Sequence, residues 1–174
     1  MTEDSFVKEF NEFEKGLSEN IANIVNGILQ QKSDKKIYSI AFITTDDFYG
    51  IYVTSDYLEK DKAINIWESF EWQGAVYPKC MYQPLVDIVE NNNEIDFTTP
   101  SDEKWQFAQT LISILKKHIQ NISEDVFGKN GYKREDIIFF ITMSDGDYVD
   151  EMLKESVKTF NSSETLKRYE INID

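Results

Sequence analysis

The sequence predicts one α/β domain, 1–174, in the broad α+β sense, with a mixed or antiparallel central sheet flanked by helices. Three observations lead to this class. The chain has 174 residues, and a single domain usually contains about 100–200. Apolar residues make up 41% of it, with twelve Phe, nine Tyr and three Trp, and such large side chains can fill a core. Runs of β-forming residues alternate with stretches of helical periodicity.

Two long amphipathic helices are predicted. From Asp4 to Gln31 the apolar residues recur every three or four positions, which is the spacing of one helix face. A second helix is predicted to begin at Thr99, a good N-cap that is followed by Pro100 at the first helical position, and to continue to Ile122. We expect these two helices to cover the faces of the sheet.

Three strands are predicted. The β-rich runs 37–44 and 48–54 are separated by a short polar turn that contains Asp46 and Asp47. So short a connection predicts an antiparallel hairpin, because parallel strands need a longer crossover, and we interpret both aspartates as part of a solvated turn. The run 137–143 is apolar throughout, which is typical of a central strand covered on both faces.

Shorter helices complete the predicted elements. Residues 57–66 and 82–90 have helical patterns, and a last long helix is predicted over 147–160. Ser162 or Ser163 is positioned to cap a final helical turn. No repeat or linker divides the chain, so we expect one domain.

The net charge is the most informative part of the composition. Thirty-two acidic residues against eighteen basic ones give a formal net charge of -14. Such a protein repels the phosphates of nucleic acid and an anionic membrane surface, so neither is expected as a partner. A basic protein partner is compatible, since opposite charge speeds association. The charge equally serves solubility alone.

The cellular compartment is predicted from the lack of disulfide-forming cysteines, of a signal peptide and of a membrane-spanning stretch in the sequence. Cys80 is the single cysteine, so no intrachain disulfide forms. The first ten residues have no cationic stretch followed by an apolar run, as a signal peptide would. No apolar stretch approaches the about 20 residues that cross a bilayer. We therefore expect a cytoplasmic protein.

Asp145 and Asp147 form the main candidate for chemistry. They follow directly on the apolar run 137–143, and two carboxylates at a strand end can hold a divalent cation. The alternative is structural: Asp147 caps the last helix, while Asp150 and Glu151 favour its positive N-terminal end.

An aromatic segment, residues 67–82, is the second candidate. Trp67, Trp72 and Tyr77 could line a binding groove, because Trp and Tyr are rigid anchors with a polar tip. The alternative is that these side chains complete the core.

The remaining reactive residue types are too few for familiar catalytic sites. His118 is the only histidine, which excludes a two-histidine metal site, and we interpret it as a half-buried structural residue. Cys80 has no partner base other than His118, so a buried or incidental thiol is the better interpretation. No glycine loop for phosphate binding occurs, and no cofactor is predicted.

The order of the elements and several phrases resemble the bacterial domain of unknown function 4303 family. The phrases are Ile37–Thr44, Trp67–Trp72, Phe140–Asp147 and Glu155–Asn161. The resemblance implies small bacterial proteins that stand alone in the cytoplasm, and it implies no activity and no catalytic residue. Some similar small acidic bacterial families neutralise toxins of neighbouring cells. This link is an analogy between families, and no residue of this sequence carries it.

Three functional hypotheses follow. The first is a non-catalytic protein-binding module, with a toxin-neutralising immunity protein as one form of it. The second is a metal-dependent enzyme that uses Asp145 and Asp147. The third is a small-ligand-binding module that uses the aromatic segment 67–82. The negative charge and the lack of catalytic constellations favour the first.

Overall fold

A computed structural model describes residues 10–31, 34–59, 64, 66 and 75–172. In chain order its elements are α1 (Asn11–Leu29), β1 (Ile37–Thr44), β2 (Ile51–Tyr57), α2 (Lys79–Asn91), α3 (Asp102–Gln120), α4 (Glu124–Gly128), a 3-10 turn (Arg134–Asp136), β3 (Ile138–Met143), α5 (Val149–Phe160) and α6 (Ser163–Arg168).

The three described strands form one mixed sheet in the order β2-β1-β3. β1 pairs antiparallel with β2, with Phe42 opposite Val53, and it pairs parallel with β3, with Phe42 opposite Ile141. The predicted α+β class with a mixed central sheet is confirmed. The hairpin between the first two strands has the predicted sense.

The prediction that the strand at 137–143 is central is wrong, because β1 has neighbours on both sides and β3 lies at the edge. All six residues of β3 are nevertheless buried. Helix α5 lies along the outer edge of β3, where Ser156 Oγ bonds both the amide and the carbonyl of Ile141. Asn161 does the same for Phe139. Side chains thus replace a fourth strand and close this edge.

The two long helices do not cover opposite faces as predicted. Both α1 and α3 pack on the face of β1 that carries Ile40 and Phe42, together with α2 and α4. The opposite face, which carries Ala41 and Ile43, is covered by Leu153 and other residues of α5 and by the region of α6. The sequence pattern shows that each helix has an apolar side, but it does not say which face that side meets.

The second strand begins later than the predicted 48–54. Phe48 has a φ of 58° and is fully buried, with its ring 4.9 Å from that of Phe107. Because the Phe48 side chain is buried in the core, the turn extends to Gly50 and β2 begins at Ile51. Tyr57, predicted as the start of a helix, is the last residue of β2. The rest of the predicted helix falls mostly on residues 60–63 and 65, which lie outside the described residues.

Helix α3 begins two residues later than predicted, at Asp102 instead of Pro100. Its N-cap is Ser101, whose hydroxyl accepts a hydrogen bond from the Lys104 amide. The hydroxyl of Thr99 donates instead to the carboxylate of Asp96, in the turn before the helix. The predicted cap of the final helix is confirmed at Ser162.

Helix α1 is described from Asn11 to Leu29, and the first six residues of the predicted helix, 4–9, lie outside the described part of the chain. Within the described residues no helix has both the length and the apolar composition required to cross a membrane.

Candidate functional sites

The two predicted aspartates lie in an exposed loop between β3 and α5. Asp145 accepts a hydrogen bond from Ser144 Oγ at 2.9 Å. Asp147 does not cap α5, because the N-cap residue is Tyr148 and it makes no side-chain cap bond. The carboxylate of Asp147 points to Lys104 instead, with 3.6 Å between Oδ2 and Nζ. The predicted cap at Asp147 is therefore wrong, whereas Asp150 and Glu151 do lie in the first turn of α5.

Lys104 is the charged centre of this region. Its side chain has 0% exposure, and its Nζ lies 2.8 Å from Asp46 Oδ1. Its ammonium also lies 5.8 Å from the ring centre of Tyr148. Burial of an ammonium is costly unless carboxylates compensate its charge. Here the loop after β1 supplies the carboxylate of Asp46, and the loop after β3 supplies that of Asp147. We call Lys104, Asp46 and Asp147 the lysine latch.

The local structure explains why these groups meet. Lys104 lies in the first turn of α3, one turn before the buried Phe107 and Ala108, so it shares their inward-facing stripe. Asp46 and Asp147 follow the carboxyl ends of β1 and β3, and parallel neighbours end at the same edge of a sheet.

The lack of a side chain at Gly146 leaves space for the Asp46 carboxylate in the lysine latch. Its φ is 100°, a conformation that L side chains rarely adopt. A methyl group at this position would collide with the Asp46 carboxylate. The Asp147 amide, one residue later, donates to Asp46 Oδ1 at 3.4 Å. The two loops are thus joined by the carboxylate of Asp46 as well as by the ammonium.

The Lys104 ammonium lies between the carboxylates of Asp46 and Asp147. A divalent cation bound by both carboxylates would need the same position. Within the described residues no group of three or more His, Cys, Asp or Glu is arranged to hold a metal ion. Asp46 and Asp147 both face the Nζ of Lys104 instead. The arrangement suits the joining of two loops.

A second feature is a group of exposed side chains along β2. In the described part of the chain, only four large hydrophobic residues are exposed: Tyr49, Val76, Tyr77 and Tyr82, and Tyr77 is the most exposed at 60%. All four lie at the outer edge or the start of β2, and we call them the tyrosine surface.

Contacts with β2 hold the tyrosine surface together. Val76 exchanges two backbone hydrogen bonds with Val53, both at 2.8 Å. The ring of Tyr77 lies 5.5 Å from that of Tyr52. Tyr82, on α2, covers Gly50, where a Cβ would lie 2.8 Å from its ring. Tyr82 thus lies on a helix, and Val76 and Tyr77 are joined to β2, whereas Tyr49 lies in the loop between β1 and β2.

Carboxylates border the tyrosine surface. Tyr49 donates its hydroxyl hydrogen to Glu90 at 2.7 Å, and this bond raises the pKa of the Tyr49 phenol. The amide of Tyr49 donates to Asp47. Asp87, one turn before Glu90 on α2, is also exposed. Apolar rings with an acidic rim suit a partner that offers basic side chains.

Of the three aromatic residues predicted as a groove, only Tyr77 can be placed. Trp67 and Trp72 lie outside the described residues. Tyr77 is exposed, so the alternative that it completes the core does not hold for this residue.

His118 has the predicted structural surroundings. Its Nε2 lies 3.1 Å from Glu14 Oε1, and its side chain is mostly buried between α3 and α1. The same oxygen accepts a hydrogen bond from Lys117 Nζ at 2.5 Å. The Lys117 bond is the main cause that lowers the pKa of Glu14, and His118 adds to it.

Cys80 is partly buried at the start of α2. Burial raises the pKa of its thiol, which lowers the thiolate fraction at neutral pH. Its backbone carbonyl packs directly against Gly16 of α1. These surroundings suit a packing residue.

Lys104 was not predicted as a site residue, and the interpretation of Asp46 as part of a solvated turn is wrong. A signal for Lys104 does exist, because it continues the stripe of Phe107, Ala108 and Leu111 one turn towards the N-terminus. Asp46 has no local signal, since its partner lies 58 positions away.

Comparison with known proteins gives one match. Residues 17–162 match the family described as "Domain of unknown function (DUF4303)". No curated protein and no solved structure matches the chain.

Proposed function

We propose that this chain, which belongs to the DUF4303 family, is a non-catalytic protein-binding module whose tyrosine surface takes a basic partner. The observation that carries the proposal is the grouping of Tyr49, Val76, Tyr77 and Tyr82 along one strand edge. Monomeric proteins scatter exposed apolar residues, and a grouped set marks an interaction site.

The tyrosines supply the holding contacts of the proposed interface. Tyrosine is enriched among the residues that dominate binding energy, because a rigid ring buries much area at low entropic cost. Lysine or arginine side chains of a partner can also lie over the exposed ring of Tyr77, which attracts cations.

Charge selects the class of partner. The protein has a net charge of -14, Asp47 and Glu90 both bond Tyr49, and the exposed Asp87 lies one turn before Glu90. Opposite charge on a partner raises the association rate, while a second copy of this chain or a nucleic acid is repelled. A basic protein segment fits both the rings and the rim.

Within this class we propose the neutralisation of a basic toxin as the biological role. An immunity protein must capture its toxin quickly, and charge steering provides fast capture. The test is co-expression with the product of a toxin gene adjacent to this one. Growth should be restored by the wild-type chain and not by the double variant Tyr77→Ser, Tyr82→Ser. Equal rescue by both chains would contradict the role of this surface.

A defined probe tests the binding proposal itself. Random peptides displayed on phage are selected against the wild-type chain at low salt, with counter-selection on the Tyr77→Ser, Tyr82→Ser variant. Enriched peptides should be rich in lysine and arginine and should bind the variant at least tenfold more weakly. Thermal unfolding of both chains, followed by circular dichroism, checks that the variant is folded.

Two outcomes would overturn the binding proposal. One is the enrichment of acidic or uncharged peptides only. The other is equal binding of the enriched peptides to both chains. Duplex DNA and phosphatidylserine vesicles serve as negatively charged probes, and binding to either one would also contradict the proposed class of partner.

A further inference from the structure

We propose that Lys104 is a positioning residue, which holds the loop between β1 and β2 in the form that presents Asp47 and Tyr49 at the tyrosine surface. The inference rests on the proposed function for its link to binding. Its claim about the loop stands on the geometry of the latch alone.

The loop is fixed at two points. Asp46 bonds the fully buried Nζ of Lys104 at 2.8 Å, and two residues later Phe48 inserts its ring into the core beside Phe97 and Phe107. Phe48 has a φ of 58°, and a bulky residue keeps such a conformation only where its surroundings over-determine it.

Asp47 lies between these two points and makes the surface-facing bonds. Its Oδ1 accepts from the Tyr49 amide at 3.1 Å and from Thr45 Oγ1 at 2.7 Å. Tyr49 in turn reaches Glu90 on α2. A chain of contacts therefore runs from the lysine latch to the acidic rim of the tyrosine surface.

Stability alone does not explain a buried lysine at this position. A buried ion pair is often no more stabilising than an apolar side chain of similar volume, because two charges lose their hydration. What the pair adds is geometry: the ammonium fixes where two loops that each carry a carboxylate must lie. Without the cation, Asp46 and Asp147 repel each other, and both are exposed enough to turn towards water.

The variant Lys104→Met tests the inference with two readouts. Hydrogen exchange should become about tenfold faster in peptides that cover 45–49 and 144–148 and should stay unchanged in β1. Affinity for the selected basic peptide should fall, although the variant is one unit more negative. Charge alone would strengthen binding, so a loss of affinity has the opposite sign to the charge effect.

Two further variants complete the design. Gly146→Ala displaces Asp46 from the opposite side and should also speed exchange at 45–49, which keeps the test open if Lys104→Met does not fold. Asp145→Asn changes the same loop without touching Lys104, and its exchange should match that of the wild type.

The outcomes separate the two proposals. Unchanged exchange at 45–49 in a folded Lys104→Met chain overturns the inference, whatever the peptide does. Faster exchange with unchanged affinity overturns the link between the latch and binding. If the wild type binds no basic peptide, the proposed function fails, and exchange alone then decides the claim about the loop.

Discussion

The side-chain amide of Asn161 bonds Phe139 as a neighbouring strand would. Its Oδ1 accepts from the Phe139 amide at 2.8 Å, and its Nδ2 donates to the Phe139 carbonyl at 2.7 Å. Asn161 is also the C-cap of α5, and its Nδ2 donates to the Val157 carbonyl. One residue therefore ends a helix and closes the edge of β3.

Asn161→Ala should destabilise the protein more than Asn121→Ala does. Asn121 is the C-cap of α3, and it makes the same type of bond to the carbonyl four residues earlier, at Lys117. It has no strand to bond. The difference, about 2 kcal/mol in the free energy of unfolding, measures the two edge bonds. Urea unfolding of both variants gives it, and equal losses would show that the edge bonds contribute nothing.

Asp46→Asn should lower the free energy of unfolding by about 3 kcal/mol, because it leaves the buried ammonium of Lys104 without its nearer carboxylate. The matched control is Glu59→Gln, which breaks an ion pair with Lys35 of the same 2.8 Å length. That pair is about half exposed, so its loss should cost under about 1 kcal/mol. Urea unfolding compares them, and similar costs would mean that Lys104 is not effectively buried.

Glu14 should make stability depend on pH in the acid range. Its pKa lies below the usual 4.5, mainly because of the Lys117 hydrogen bond. A carboxylate with a lowered folded-state pKa stabilises the protein above its ordinary pKa, and this contribution disappears as pH falls through the lowered value.

The wild type should therefore lose more stability than Glu14→Gln between pH 6 and pH 3. Chemical unfolding at a series of pH values measures the difference. In a Lys117→Gln background the difference should shrink. Parallel profiles for the wild type and Glu14→Gln would rule out this contribution.

Calorimetric titration with magnesium, manganese and calcium tests the hypothesis of a metal site at Asp145 and Asp147. We expect no binding heat in the wild type, because the Lys104 ammonium lies beside Asp147 and repels a second cation. In Lys104→Met the cation is removed from between Asp46 and Asp147, and weak binding should appear. Heat in the wild type that Asp145→Asn abolishes would restore the metal hypothesis.

Element types followed from the sequence wherever periodicity was long, as in α1, α3 and α5. The position of β3 in the sheet did not follow. Its apolar run reports burial on both faces, and burial arises here from α5 and from the bonds of Ser156 and Asn161 at its edge. A hydrophobic run does not distinguish a central strand from a covered edge.

The candidate sites were predictable only in part. Asp145 and Asp147 stood out because they follow an apolar strand, but Lys104, the partner of Asp147, comes from helix α3, and a contact between distant elements leaves no local pattern. The tyrosine surface was indicated by Tyr77. Its other members, Tyr49 and Tyr82, come from separate elements that meet only at the start of β2.

The central claim, that the acidic tyrosine surface receives a basic partner, is tested most directly by the association rate of the selected peptide. Asp87→Asn with Glu90→Gln removes the charge of Glu90, which bonds Tyr49, and that of Asp87 one turn earlier, and Glu164→Gln with Glu170→Gln removes two exposed charges elsewhere. The net charge of both double variants is equal. We predict that the first pair slows association several-fold at low salt and that the second pair has little effect. Equal slowing by both pairs would contradict a site at this surface.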